Sequence, residues 1–340
     1  MSAGTDTRTG MRPATPTSAL SGRGRWRVWL GHNDAFVILV GFALLASVIS
    51  PAFLTPHNLG NLLTQSALLG LLAIAQFLVV VSGGFDLSVA AVMAFSSLVF
   101  AHFIGLGFVP AALLAILAGG TCGLFSGLVI TKGRVQPLIA TLAMMGIARG
   151  LALSVSEKSI LVNDPTVAAL RGFSLGILST PTLVWFFVLT IAVAWLALTR
   201  QALHLYAIGG NEVTARLAGV AVNRIKLGVY VASGLLSGLT GVVMVMRSSS
   251  GVPLGGMGWE LDTIASIVIG GVNLFGGEGR LMRAMAGVLI YQMIANVMNL
   301  SGLDPFYQDI VRAGVIVAAV GLSIFRNRKA GRRVIQGRSA

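Results

Sequence analysis

The chain has 340 residues, of which 55% are apolar and only 10% are charged, and its mean hydropathy is +0.87. A soluble domain has about 25% charged residues, so this composition excludes a soluble globular protein and, equally, an intrinsically disordered one. The net charge of +13 comes from basic residues in tails and short loops, which indicates membrane orientation rather than nucleic-acid binding. Long apolar runs that do not alternate predict an all-α integral membrane protein.

About ten apolar runs are candidates to cross a hydrocarbon core of roughly 30 Å, which takes about 20 helical residues. They cover residues 35–49, 61–81, 88–106, 109–130, 138–154, 182–199, 227–247, 263–276, 284–300 and 307–325. We predict a flexible basic N-tail over 1–33, a transmembrane domain over 34–325 and a basic C-tail over 326–340. No clean cleavage site follows the first run, so it is interpreted as an uncleaved helix and not as a signal peptide.

The basic residues divide unequally between the two sides of the predicted membrane. With the N-terminus inside, nineteen Lys and Arg lie in inner segments and three lie in outer ones. This asymmetry predicts that both termini are cytoplasmic and that the number of spans is even. The longest connections are an outer loop over 155–181 and an inner loop over 200–226, and neither is large enough for a nucleotide-binding domain.

Small residues recur at every fourth position on two of the predicted spans. The fourth span carries Gly119, Gly123 and Gly127, and the seventh carries Gly234 and Gly238. Such spacing places the small residues on one helix face, where they let two helices approach closely. We therefore predict tight packing on these faces.

If the ten spans form two sets of five, the third span of each set begins with a similar short sequence. Asp86 begins the sequence Asp-Leu-Ser-Val-Ala, and Asp262 begins Asp-Thr-Ile-Ala-Ser. Five spans per half place the two aspartates on opposite membrane faces, as expected of an inverted repeat. The alternative is that each aspartate caps an unrelated helix.

Gly83 and Gly84 interrupt a long apolar stretch and permit a sharp turn. Asp86 can cap the helix that follows. An acidic side chain so close to hydrocarbon costs free energy unless it caps a helix, pairs with another group or is hydrated. Two interpretations stay open, a helix cap at the inner interface and a turn near a substrate path or inner gate.

The inner loop contains a short segment with complete helix-capping signals. Asn211 suits the N-cap, Glu212 the first turn, Arg216 the last turn and Gly219 the C′ position. Small apolar side chains form one face of this segment: Val213, Ala215 and Leu217. We predict one short helix, which is either idle at the interface or docks in a groove of a partner.

The ninth run carries a polar stripe of Gln292, Asn296 and Asn299, at spacings of four and three. Such a stripe either bonds neighbouring helices or lines an aqueous path. Uncharged amides suit an uncharged polyol better than an ion. Asp309 and Arg312, three residues apart on the last run, can neutralise each other.

The sequence contains no catalytic or metal-binding pattern. No His-Glu-x-x-His or Gly-x-Ser-x-Gly motif is present, and the single Cys122 excludes a disulfide framework. Gly276–Arg280 is superficially like a phosphate-binding loop, but it lacks the Gly-Lys-Ser/Thr ending and predicts a tight inner turn. We therefore expect neither an enzyme nor a cofactor bound to this chain.

Four longer motifs occur in order along residues 35–325. They are Val81–Val89, Ala140–Leu151, Tyr206–Val220, and Glu260–Ala265 with Gly270, Gly271 and Gly276–Arg280. Together they resemble signatures of the permease subunits of ribose-type ABC sugar importers. Two small departures are Ala90 and Ala143, where members of that family usually or often have glycine.

The resemblance implies the transmembrane subunit of an ATP-driven importer in a bacterial plasma (inner) membrane, forming the path for a monosaccharide or related polyol. The partners it implies are an ABC ATPase subunit that binds ATP and Mg, a periplasmic or surface sugar-binding protein, a second permease copy or homologous permease, and membrane lipid. It also implies that the helix Asn211–Gly219 is the element that couples to the ATPase.

Sugars need hydroxyl partners, so the residues expected along the path are Asp86, Ser88, Asn296 and Asn299. The alternative function is an ion-coupled secondary transporter of a small polar solute. That alternative requires a membrane-centre carboxylate that titrates or binds a cation. Asp86 is the tempting candidate, although its position is near an interface.

Overall fold

The computed structural model describes residues 22–304, 306–315, 317–318 and 321, and the side chains of these residues from Ala35 onward. Residues 1–21 of the predicted N-tail and the whole predicted C-tail over 326–340 lie outside this part. The first helix begins at Gly22 and therefore starts inside the predicted N-tail.

The described residues are mostly helical. The helices are α1 Gly22–Ile49, α2 Pro56–Val81, α3 Val89–Phe103, α4 Phe108–Thr131, α5 Pro137–Val155, α6 Pro165–Gly172, α7 Thr180–Leu198, α8 Arg200–Gly210, α9 Glu212–Leu217, α10 Val222–Ser248, α11 Trp259–Ile269 and α12 Leu281–Leu300. A short 3-10 turn, Ile104–Leu106, follows α3, and a final helical stretch covers 306–315. The short strands are β1 Ile160–Leu161, β2 Ser174–Leu175, β3 Leu178–Ser179 and β4 Ser250–Gly251.

Seven helices of the described part are long and apolar enough to cross a membrane. They are α2, α3 with its 3-10 turn, α4, α5, α7, α10 and α12. These seven correspond to predicted spans, and the mostly helical architecture confirms an all-α membrane protein. The predicted first and eighth spans correspond to the shorter apolar segments Ala35–Ile49 within α1 and α11, and the predicted tenth span corresponds to the helical stretch over 306–315. The count of about ten stays a prediction.

The centre of the fold is formed by α2 and α10. Residues from Ser66 to Val81 of α2 are buried on every side, as expected for a helix that is apolar all round. The α10 helix packs closely on α4. The approach is so close that a Cβ atom added at Gly119 would lie only 2.8 Å from the Cα of Gly238. The predicted close packing of the two small-residue faces is therefore confirmed.

The apolar run predicted over 263–276 is wrong at both ends, since α11 covers Trp259–Ile269. Gly258, with φ +87°, is its N-cap, so Asp262 lies in the first turn and does not precede the helix. The helix ends in a glycine C-terminal motif, in which the N–H of Gly271 donates to the carbonyl of Val268 at 2.8 Å and the N–H of Val272 donates to that of Ile267 at 3.1 Å. Gly270 lets α12 pass closely, since a Cβ atom there would lie 2.6 Å from the Cα of Ala284. Gly271, at φ +84°, then turns the chain away.

The two longest predicted loops contain local structure. In the outer loop, β1 pairs antiparallel with β4, and the carboxylate of Asp164 caps α6. In the inner loop, the hydroxyl of Thr199 caps α8, and α9 follows after a single residue. The inner loop therefore places α9 directly between α8 and the start of α10.

Candidate functional site

The short helix α9 forms as its capping signals predict. The side-chain oxygen of Asn211 accepts a hydrogen bond from the backbone N–H of Thr214 at 3.0 Å. Ala218 is the C-cap, and Gly219 follows with φ +81°, in the left-handed region that favours glycine. Both ends of this helix are thus fixed by its own residues.

Glu212 joins α9 to the beginning of α10. Its carboxylate forms ion pairs with Arg216 at 3.0 Å and with Lys226 of α10. The hydrogen bond from Lys226 is the main cause that holds the pKa of Glu212 below its usual value. The prediction that Ala215 shares one apolar face with Val213 and Leu217 is wrong, because Ala215 lies on the other face of α9, buried in a cluster with Ile208 and Val222. The helix is therefore attached to both α8 and α10.

The outward face of α9 is apolar and uncovered. The residues Val213 and Leu217 are 69% and 84% exposed, and Arg216 beside them is also exposed. The helix α9 lies in a polar connection between spans and so outside the apolar core. The core of the described part therefore does not cover these two side chains. An exposed apolar pair on a rigid helix is typical of a docking surface.

Three pairs of glycines meet beside α9, and we call them the glycine junction: Gly83 and Gly84, Gly209 and Gly210, Gly276 and Gly277. A Cβ atom at Gly209 would overlap the carbonyl oxygen of Val81, the last residue of α2. The backbone N–H of Gly277 donates to that same carbonyl at 3.0 Å. Gly276 has φ +90°, and a Cβ there would lie 2.8 Å from the Cα of Gly83.

The glycine junction joins three elements by direct backbone contact. It contains the C-terminal ends of α2 and α8 and the loop between α11 and α12. At the predicted turns, Gly83 has φ +78° and Gly277 has φ +72°, both in the left-handed region that favours glycine. Asn211 directly follows the junction, so α9 is anchored to the end of the most buried helix.

Asp86 is 3% exposed and forms a cross-link between α10 and the approach to α3. One carboxylate oxygen accepts from the backbone N–H of Ser88 at 2.9 Å and from its hydroxyl at 2.6 Å. The other accepts from the hydroxyl of Ser233 on α10 at 2.7 Å. The prediction that Asp86 caps α3 is wrong, because the N-cap is Ser88 and has no side-chain capping hydrogen bond; Asp86 instead binds Ser88 itself. The sequence also gave no sign of Ser233, which lies 147 residues away.

Tyr230 of α10 supports the same turn. Its hydroxyl donates to the carbonyl of Phe85 at 3.3 Å. A Cβ atom at Gly84 would lie 2.5 Å from that hydroxyl oxygen, so only glycine leaves room for the tyrosine. The turn, α3 and α10 are therefore packed as one unit, with Asp86 at its centre.

The polar stripe of α12 bonds neighbouring elements. Asn296 exchanges two amide hydrogen bonds with Asn58 of α2, at 2.8 Å and 3.0 Å. Gln292 donates to the carbonyl of Gln65 at 3.3 Å, and exposed Asn299 accepts from Gln308 at 2.9 Å. In this single chain the stripe joins α12 to α2 and to the final helical stretch.

Further ionisable side chains lie within apolar helices, and only some of them were singled out from the sequence. The hydroxyl of Tyr291 donates to the carboxylate of Asp262, and Arg312 pairs with Asp309 at 3.6 Å, as predicted. One nitrogen of Arg149 and one carboxylate oxygen of Glu260 are buried without a hydrogen-bond partner in the described part. Glu260 lies between the predicted runs 227–247 and 263–276, so the sequence gave no sign that its carboxylate would be buried.

No group of three or more His, Cys, Asp or Glu side chains in the described part of the chain could hold a metal ion.

Comparisons with known proteins place these features in context. The family model described as branched-chain amino acid transport system / permease component matches residues 58–320. Ribose import permease protein RbsC of Escherichia coli (strain K12) is 38% identical over 312 residues, covering 89% of this chain and 97% of that protein. L-arabinose ABC transporter permease protein AraH of Azospirillum brasilense is 34% identical, covering 93% and 95%.

A third relative is D-allose transport system permease protein AlsC of Escherichia coli (strain K12), 32% identical over 86% of this chain and 91% of that protein. No solved structure matches the chain significantly.

Proposed function

The chain belongs to the family of permease components matched over residues 58–320, and we propose that it forms the translocation path of an ATP-driven sugar importer. The relatives named as ribose, arabinose and allose permeases support a monosaccharide or related polyol as substrate. The same bacterial relatives support a location in a bacterial plasma (inner) membrane. A periplasmic or surface binding protein would deliver the substrate, and a second permease would complete the path.

The observation that carries the coupling role is α9. It is a rigid, capped helix with an uncovered apolar face, in a loop that the basic residues assign to the cytoplasm. An ATPase subunit that binds ATP and Mg would receive Val213 and Leu217 in a groove. Movement of that subunit would then move α9 and tilt the helices attached to it, opening the path to one side at a time.

The proposed topology has both termini in the cytoplasm and ten spans in two inverted halves. The pairing of helices supports such an arrangement, since α2 packs on α11 and α12 while α10 packs on α3 and α4. Asp86 and Asp262 then lie near the start of the third helix of each half, Asp86 before α3 and Asp262 within the first turn of α11. Asp86, Ser88, Asn296 and Asn299 remain our candidates for the path, joined by Arg149 and Glu260.

Purification of the tagged chain from its native membrane in mild detergent tests this function. Mass spectrometry should find a stoichiometric soluble subunit with a Walker A motif. A chain that is repeatedly isolated alone, is stable and transports without ATP would support the ion-coupled alternative and remove the ABC proposal.

We expect Leu217→Glu to abolish most ATP-driven uptake without lowering the thermal stability of the chain. The side chain is 84% exposed, so the change costs little in the isolated subunit, but it buries a charge wherever an apolar groove covers it. Uptake in proteoliposomes and recovery of the ATPase on the tagged chain measure the effect. The control is Leu175→Glu, at an exposed leucine of the outer loop; equal losses in both variants would contradict docking at α9.

We expect Gly219→Val to reduce uptake while membrane insertion persists. No atom lies within 4 Å of a Cβ atom added at Gly219, so the new side chain meets no steric clash with the rest of the protein. The substitution is opposed only by the backbone, whose φ of +81° costs a branched residue about 1–3 kcal/mol. Gly172→Val is the control, because Gly172 also has open space but not a positive φ. Wild-type uptake by Gly219→Val would remove the case that the C-terminal turn of α9 matters.

A further inference from the structure

A groove of about 620 Å³ lies between α2, α7 and α10. Its walls are apolar side chains of the three helices, including Leu78, Ala192 and Leu236. Polar groups stand only at one end, where Gln201 and Arg224 line it. The groove therefore has an apolar length and a polar mouth.

The polar mouth lies at the inner side of the membrane in the orientation proposed above. Arg224 is in the first turn of α10, and Gln201 is in the first turn of α8, directly after α7 ends. Trp195, near the end of α7, also lines this end, and tryptophan is enriched at membrane interfaces. Val188 and Leu236 extend the groove toward the middle of the membrane.

The groove is open, and none of the described residues fills it. No atom lies within 4 Å of a Cβ atom at Gly228 on its α10 wall. The α7 helix is the least buried of the seven long apolar helices and packs mainly on α2. Since apolar walls without partner atoms lose their dispersion contacts, a flexible apolar chain from the bilayer would be stabilised there.

Arg224 gives the mouth its charge. It is exposed, and it has no hydrogen bond or ion pair among the described residues, whereas its neighbours Arg216 and Lys226 are both paired with Glu212. Basic sites between transmembrane helices on the cytoplasmic side favour anionic lipid headgroups. The charged mouth thus matches an anionic lipid headgroup, and the apolar length of the groove matches the acyl chain of the same lipid.

We propose that this groove binds an anionic phospholipid of the cytoplasmic leaflet. An acyl chain lies between α7 and α10, and the phosphate accepts hydrogen bonds from Arg224 and Gln201. The proposal rests on the orientation of the chain and not on its transport activity, so its failure is distinguishable from failure of the coupling function.

The test compares lipid retention by the tagged chain after reconstitution in equal parts of phosphatidylglycerol and phosphatidylcholine and re-extraction in mild detergent. We expect the wild-type chain to retain phosphatidylglycerol in excess. Gly228→Leu should fill the groove and remove the retained lipid. Arg224→Gln should lower the preference for phosphatidylglycerol about fivefold, as expected for one cation near a headgroup.

Gly146→Leu on α5 is the matched control, because Gly146 is an exposed helical glycine with the same open space. It should retain lipid as the wild type does. Equal retention by Gly228→Leu and the wild type, or an unchanged preference in Arg224→Gln, would overturn the proposal.

A second copy of the chain is the competing occupant. A cysteine introduced at Ile191 on the groove wall, in a Cys122→Ala background, should remain uncross-linked in native membranes if lipid fills the groove. An efficient disulfide between two copies would show that a neighbouring subunit covers this face, and the lipid proposal would then be wrong.

Discussion

Gly209→Ala is expected to abolish ATP-driven uptake, although it adds a single methyl group. That methyl would overlap the carbonyl oxygen of Val81 and stand 3.0 Å from its carbonyl carbon. Both contacts are with backbone, so no side chain can rotate away to relieve them. Overpacking of this kind costs about 1–3 kcal/mol, and here relief requires the end of α8 to separate from the end of α2.

The neighbouring glycine provides the control. Gly210→Ala places a methyl where no atom lies within 4 Å, in the same last turn of α8, and should transport as the wild type does. Uptake and ATP hydrolysis in proteoliposomes, with thermal unfolding in detergent, separate the outcomes. Loss of uptake with hydrolysis retained would mean that the junction transmits motion. Wild-type uptake by Gly209→Ala would contradict a tight junction.

The glycine junction also marks a limit of sequence reasoning. Two of the glycine pairs predict local turns, and Gly83 and Gly277 have φ +78° and +72°, whereas Gly209 and Gly210 lie in the last turn of α8. No pattern indicates that these turns meet one another, because the pairs are separated by more than sixty residues along the chain. Local conformation can be predicted from residue type, whereas the choice of contact partner depends on the complete packing of the helices.

The same distinction explains the rest of the site. The α9 helix was predictable because Asn211, Glu212 and Gly219 act on their own backbone or first turn. The partner of Asn296 was not, since Asn58 is 238 residues away. The end of α11 was misjudged because the residues after Gly271 remain apolar, although Gly271 ends the helix in the left-handed conformation.

The attachments of α9 suggest how a small displacement would be distributed. Its first turn is tied to α10 through the ion pair of Glu212 with Lys226. Its N-terminal end is tied to α2 through the backbone contact of Gly209 with Val81. Because α2 and α10 form the centre of the fold, a push on α9 would act on both central helices at once, which supports the proposed coupling role.

Asp86→Ala is expected to destabilise the chain strongly. It would leave the backbone N–H of Ser88 and the hydroxyls of Ser88 and Ser233 without their acceptor in a buried site. Each such orphaned group costs about 1–3 kcal/mol, so the total loss should reach about 3 kcal/mol or more. Thermal and denaturant unfolding in detergent measure it, and little of the variant should be recovered from the membrane.

Asp86→Asn separates hydrogen bonding from charge. Its amide oxygen can still accept from Ser88, and its amide nitrogen can donate to the hydroxyl of Ser233, which is also an acceptor. We therefore expect a loss of about 1 kcal/mol and retained ATP-driven uptake. An ion-coupled transporter that used this carboxylate would instead lose transport in Asp86→Asn while remaining folded, because an amide cannot titrate. The asparagine variant thus distinguishes a structural cross-link from a coupling carboxylate at the same position.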